Sequence, residues 1–307
     1  MAKSFALKYP IEYAYTLSFM DLQFLQLIIN GIAVGSIIAL AAVGLTLTYG
    51  ILRLANFAHG DLMTLGAYFA LVVNLSGINI WISIAIAAVL TSGVALMTEK
   101  LIWSPMRDRR ASATTLIIIS IGLALFLRNG IILIWGAANQ RYNLPVVPAL
   151  NIFDLRIPQN RLVVFGLAIA VIVGLHCLLQ YTKIGKAMRA VADNVDLARV
   201  SGINVDRVVI WTWVIAAGLT AIGGGMYGMI TAVRPTMGWL QILPMFAAVI
   251  LGGIGNPYGA IAGAFVIGIA QEVSTYWIST EYKLGVALLM MIVVLLFRPQ
   301  GIFRGTF

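Results

Sequence analysis

The chain has 307 residues, of which 61% are apolar and only 10% charged. A water-soluble domain carries roughly 25% charged residues, so a fold with water as its main solvent is excluded and an all-α polytopic membrane protein is implied. The net charge of +9 does not mark a nucleic-acid partner: the basic residues gather at the ends of apolar runs, and no Lys/Arg stripe with interleaved aromatics occurs.

Residues 1–21 hold no apolar core of signal-peptide length and read as an N-terminal extension, with insertion driven by the first membrane helix. Residues 22–49 are apolar and slightly long for one straight span. Gly31 and Gly35 form a G-x-x-x-G pair there, which lets a neighbouring helix approach. A polar break at 53–61, RLANFAHGD, precedes the short apolar run 62–75, and 78–97 is a clean span. The basic cluster 99–110, EKLIWSPMRDRR, belongs in the cytoplasm. The span 114–135 contains Arg128 near its far end, where a long side chain can snorkel to the interface. Residues 136–160, with Pro145, Pro148 and Pro158, form an ordered outer loop, and 162–180 returns to the cytoplasm.

Residues 181–207 are a polar, basic island. Lys183, Lys186, Arg189, Arg199 and Arg207 stand there with Asp193, Asp196 and Asp206. Asn194 suits the N-cap of a short helix, 195–201, carrying Asp196 and Arg199 at i, i+3. Gly202 stands where a left-handed cap is wanted, and Asn204 can cap the next helix with Asp206 in its first turn. Two caps and a stop fit a folded element gripped by another protein; a solvated loop between spans is the alternative. Residues 208–230, 240–251, 260–273 and 284–297 follow, and Arg298 and Arg304 put the C-terminus inside. The total is eight or nine hydrophobic segments, because 22–75 either crosses twice or includes a re-entrant piece.

Chemistry-bearing motifs are few. Gly185-Lys186 lacks a P-loop's partner glycine, and the G-x-G-x-x-G match at 223–228 lies in a membrane span with no strand before it, so helix packing explains it. One cysteine, Cys177, and two histidines leave no disulfide and no Cys/His metal site. No cofactor is expected on this chain, and His176, inside an apolar run, reads as a satisfied buried histidine. Asn56, His59 and Asp61 put an amide, an imidazole and a carboxylate at the entrance to a short helix. Buried in a membrane they must be paired or face a cavity; a capped helix start at the surface is the other reading. Gly252, Gly253, Gly255 and Pro257 form a second break, either beside a translocation path or as a tight turn. The two breaks echo weakly, 60–67 against 258–264, as in transporters built from repeats.

Three stretches, NFAHGDLMTLGAY (56–68), GKAMRAVADNVDLARVSGINVDRV (185–208) and AAVILGGIGNPYGAIAGAFVIG (247–268), together resemble the LivH branch of permease subunits of branched-chain amino-acid ABC importers. The resemblance implies a fold similar to the ribose- and vitamin-importer permeases, with broken helices in a permease domain over 22–298 and a short cytoplasmic tail at 299–307. It implies a bacterial inner-membrane protein that is not itself an enzyme. Its expected partners are a second related permease, two cytoplasmic ATPase subunits that use ATP and Mg, a periplasmic amino-acid-binding protein and lipid. Arg189, Asp193, Asp196, Arg199 and Gly202 are then expected to couple to the ATPase, and Asn56, His59, Asp61, Gly252, Gly253 and Gly255 to border the pathway. The urea-permease branch is an alternative within the family. A stand-alone carrier or channel, with Asp61, Glu272 and Arg128 as an ion relay, is the alternative outside it.

Overall fold

In hydrocarbon each backbone N–H and C=O must find its partner inside the protein, which leaves helices as the economical solution for an apolar chain. The computed structural model describes residues 10–145, 148–152, 155–298 and 300–303. Parts of the expected N-terminal extension (1–9) and tail (299, 304–307) lie outside the described residues.

The first half comprises α1 (Pro10–Leu52), α2 (His59–Leu75), α3 (Ile80–Thr98) and α5 (Ala113–Trp135). A π-helical turn, Glu99–Trp103, extends α3 into the short α4 (Ser104–Asp108). A small hairpin of β1 (Leu150–Ile152) and β2 (Leu155–Ile157) precedes α6 (Gln159–Tyr181). Two short helices, α7 (Lys183–Asp193) and α8 (Val195–Val200), then lead into α9 (Val205–Ile230), α10 (Met237–Gly252), α11 (Pro257–Val273) and α12 (Lys283–Phe297). Among the described residues six helical stretches are long and apolar enough to cross a membrane: those ending at Leu52, Asp108, Trp135, Tyr181, Ile230 and Phe297. The shorter apolar α2, α10 and α11 complete the bundle, in line with the segment count read from sequence.

The two ends of the bundle are distinct. At one, which we call the α8 end, Arg53 reaches the Ala192 carbonyl, and Asn256–Tyr258 face Lys186 and Arg189. At the other, Gln140 bridges to Val233 and the Asn74 side chain accepts from the Asn143 N–H. Each half of the chain repeats one pattern: a long helix, six non-helical residues, then a short helix. In the first half these are α1, residues 53–58 and α2; in the second, α9, residues 231–236 and α10. The two non-helical pieces enter from opposite ends, so the halves are related by inversion. Packing follows suit, with α1 against α11 and α3 against α9. The expected echo of 60–67 at 258–264 is therefore misplaced: the counterpart of α2 is α10, not α11. Shared Gly/Pro turn residues suggested the first pairing, but helix length and position carry the actual repeat.

Small residues let these helices close up. A Cβ on Gly31 would stand 2.6 Å from the Ile269 Cα, and one on Gly35 3.0 Å from the Phe265 Cα, so the G-x-x-x-G pair seats α11 as its spacing predicts. The core of α1 is nearly continuous, with Ile37, Leu40, Leu45 and Leu47 all buried.

Candidate functional site

The polar residues at the start of α2 lie at a crossing of backbones. Gly60 and Gly238, the second residues of α2 and α10, meet with the Gly60 carbonyl against the Gly238 Cα, and the Gly238 N–H donates to Thr64 Oγ1 (3.0 Å). Asn56, His59 and Asp61 surround this crossing and are all 0% exposed. None of the three side chains reaches the protein surface. Asn56 Oδ1 accepts from the Ala58 N–H (3.0 Å), turning the chain into the helix, while its Nδ2 has no partner among the described residues. His59 Nε2 lies 2.9 Å from the Ala41 carbonyl and 2.7 Å from Thr220 Oγ1, whose hydroxyl donates to the Ala216 carbonyl. A carbonyl only accepts, so Nε2 is the protonated nitrogen. Nδ1 is left buried, with no partner among the described residues.

Asp61 is bound by a residue assigned a different role from sequence. Arg128 of α5 donates Nε to Oδ1 and Nη2 to Oδ2, both at 3.1 Å, and its guanidinium carbon stands 4.4 Å from the centre of the Trp239 ring. Arg128 does not snorkel. A buried carboxylate in reach is a better partner than the interface, since an uncompensated charge in the protein interior costs several kcal/mol (roughly 3–5). A lone cation and a lone carboxylate in separate apolar runs was the signal available. Thr220 and Trp239 gave no such signal, because neither carries a charge.

The second predicted break is elsewhere. Gly252 ends α10, about 21 Å along the helix from Gly238 at the usual rise. Gly253 (φ 101°) and Gly255 (φ 89°) adopt left-handed backbone that only glycine takes without strain, and Pro257 starts α11. Asn256 Oδ1 caps α11 through the Tyr258 and Gly259 N–H groups, and the Gly255 N–H donates to Thr46 Oγ1 of α1 (3.0 Å). It is a tight interhelical turn at the α8 end, and the structure does not bring Gly252, Gly253 and Gly255 together with Asn56, His59 and Asp61.

The capped element is folded as its sequence demands. Asn194 Oδ1 accepts from the Leu197 N–H (2.9 Å), Gly202 has φ 84°, and Asn204 Oδ1 accepts from the Arg207 N–H (2.9 Å). In α7, Met188, Val191 and Ala192 are buried, whereas α8 buries only Ala198. Its apolar Leu197 (61% exposed) and Val200 (82%) stand out beside exposed Asp196 and Arg199. Asp196 and Arg199 form no ion pair among the described residues; the spacing was right but both side chains are exposed. Arg189 Nη1 donates to Gln180 Oε1 (2.9 Å) and lines, with Lys186, Asp193 and Tyr258, a cavity of about 550 Å³. His176 is exposed, not buried: its Nδ1 meets the Tyr258 hydroxyl at 2.8 Å. The expectation failed because α6 lies on the outside of the bundle. Among the described residues no cluster of His, Cys, Asp and Glu could hold a metal. One buried carboxylate passed over in the sequence is Glu99, which accepts from Trp213 Nε1 (2.6 Å) and pairs with Arg107.

The chain matches over residues 27–295 the family described as "Branched-chain amino acid transport system / permease component". It belongs to that family. It is 33% identical over 298 residues to the high-affinity branched-chain amino acid transport system permease protein LivH of Escherichia coli, covering 92% of this chain and 96% of that one. It is 31% identical to BraD of Pseudomonas aeruginosa, covering 91% and 95%. Among solved structures, PsaBC from Streptococcus pneumoniae in complex with Fab superposes with a TM-score of 0.50 at 12% identity, over 92% and 93% of the two chains. That likeness concerns the fold alone. This family member is a multi-pass membrane protein, and a permease component is the non-catalytic, membrane-spanning part of its transport system.

Proposed function

We propose that the chain is the translocating subunit of an ATP-driven importer for branched-chain or broader neutral amino acids in a bacterial inner membrane. Its α8 end and C-terminus face the cytoplasm. A second related permease, two ATPase subunits that bind ATP and Mg, and a periplasmic binding protein complete the assembly. The observation that carries this is α8: a helix held by caps at both ends, seated through one alanine, with Leu197 and Val200 turned outward. Apolar side chains on an otherwise polar end favour a protein partner over water. Closure of the ATPases would press on α8. Arg189, Asp193, Asp196, Arg199 and Gly202 would pass that motion to α6 and α9, which flank it in the chain.

The pathway is the second part of the reading. Asn56, His59 and Asp61 at the crossing, and the Gly252, Gly253 and Gly255 turn at the α8 end, bracket α10 between them. Tilting α9 moves Thr220 against His59 and so shifts the crossing. His59→Ala then lowers maximal uptake more than apparent affinity. The ion-relay alternative finds little support, since Asp61 is neutralised by Arg128 and Glu272 by Lys283. The test is uptake by cells carrying the system. Uptake that collapses on ATP depletion yet survives an uncoupler, with two ATPase subunits co-purifying, supports the proposal; the opposite dependence sinks it.

A further inference from the structure

The Asp61–Arg128 pair leaves one edge of the guanidinium unused. Asp61 takes Nε and Nη2, and Trp239 takes the ring face. Nη1 makes no hydrogen bond to the described residues and is not among the sealed, unpaired atoms; the side chain is 12% exposed where that of Asp61 is 0%. The neighbouring surface is of unusual make-up. Trp239 is 38% exposed, and Asn129, next to Arg128, is exposed within an otherwise apolar stripe of Ile118, Gly122, Leu125 and Leu133. Among the described residues Asn129 is hydrogen-bonded through Nδ2 alone, to the Leu125 carbonyl. An exposed amide and a fixed cation inside a membrane-spanning body mark a polar route or a ligand, not a lipid-facing wall.

The chemistry on offer is specific. A guanidinium already oriented by a bidentate carboxylate presents its remaining donor at no cost in side-chain entropy. The partly exposed indole of Trp239 borders it, and the aliphatic stripe lies about a quarter turn further round α5. A solute with a carboxylate at one end and a branched aliphatic group at the other matches both. We infer that Arg128, oriented by Asp61 and Trp239, is the contact for the carboxylate of the solute in transit, with Asn129 beside it and the α5 stripe receiving the aliphatic group. Asp61 and Trp239 are positioning residues. The inference rests on the amino-acid reading above.

The test uses the complete complex in proteoliposomes, with leucine uptake and photo-crosslinking by a diazirine analogue of leucine as readouts. In the wild type, adducts should fall on α5 between Gly122 and Leu133 or on α10 near Trp239. The double variant Asp61→Asn/Arg128→Gln keeps a hydrogen-bonding pair of similar shape without the charges, and its thermal unfolding reports whether the fold survives. A folded double variant should lose those adducts and import leucine about tenfold more slowly, the equivalent of one charge-assisted contact. Uptake and adducts equal to wild type in the folded variant would overturn the inference and leave the pair a structural clamp. Wild-type adducts confined to other helices would overturn it too. A wild-type complex that imports no amino acid at all would overturn the proposed function together with this site, so the two failures are told apart by the wild-type arm.

Discussion

Gly60 and Gly238 meet backbone to backbone where α2 and α10 begin, with no room for a Cβ on either. That contact fixes how closely the two inverted halves approach. Alanine at Gly238 must push rigid backbone aside, so Gly238→Ala should cost at least the ~1–3 kcal/mol of an overpacked core. Gly122→Ala, in open space on α5, should be neutral or slightly stabilising. Thermal unfolding of the purified protein checks both, and equal effects would show that the crossing tolerates a wider gap.

Asp61 and Arg128 should behave as a unit. Asp61→Leu alone strands a buried guanidinium and is expected to cost ~3–5 kcal/mol. Asp61→Leu with Arg128→Met should cost clearly less than the two single changes added together. A double-mutant cycle on unfolding free energy reads the difference; simple additivity would mean the pair contributes nothing.

The α10–α11 turn leans on α1 through one hydroxyl. Thr46→Val leaves the Gly255 N–H buried without its acceptor, at ~1–3 kcal/mol. Hydrogen exchange at Gly255 should quicken while exchange in α9 stays slow. Unchanged protection would show that another group takes over from Thr46.

At α8, stability and function should separate. Val200→Asp changes an exposed side chain and should alter unfolding by no more than ~0.5 kcal/mol, yet co-purification of ATPase subunits should fail. Asn194→Ala removes a cap and should cost ~1 kcal/mol. Gly202→Pro and Arg199→Glu should abolish transport at normal membrane levels of the protein. A Val200→Asp protein that still recovers its ATPases would place their seat elsewhere.

Much of this was legible because it is local. Caps at Asn194 and Asn204 and the left-handed Gly202 are set by residues within a turn or two of one another, and the one-turn spacing of Gly31 and Gly35 is a local signal as well; all are found as read. The misreadings concern long-range pairing. Arg128 finds Asp61 across 67 residues, and His59 finds Thr220 across 161. Neither bond leaves a trace in spacing. His176 was misread for a related reason: an apolar run says that a helix is in the membrane, but not which side of it faces lipid.

The shortness of α2 and α10 has a consequence for how the protein is made. At 17 and 16 residues, each helix reaches only about 25 Å, less than the hydrocarbon thickness of about 30 Å. Each also starts at a crossing where polar groups find partners in the other half, His59 with Thr220 and the Gly238 N–H with Thr64. When α2 leaves the ribosome, Thr220 and Gly238 have not been synthesised, and the hydroxyl that His59 will meet is still 161 residues away. The first half must therefore wait in the insertion machinery or in a provisional arrangement. Only the arrival of α9 and α10 lets both short helices settle, late and together, as one act of assembly.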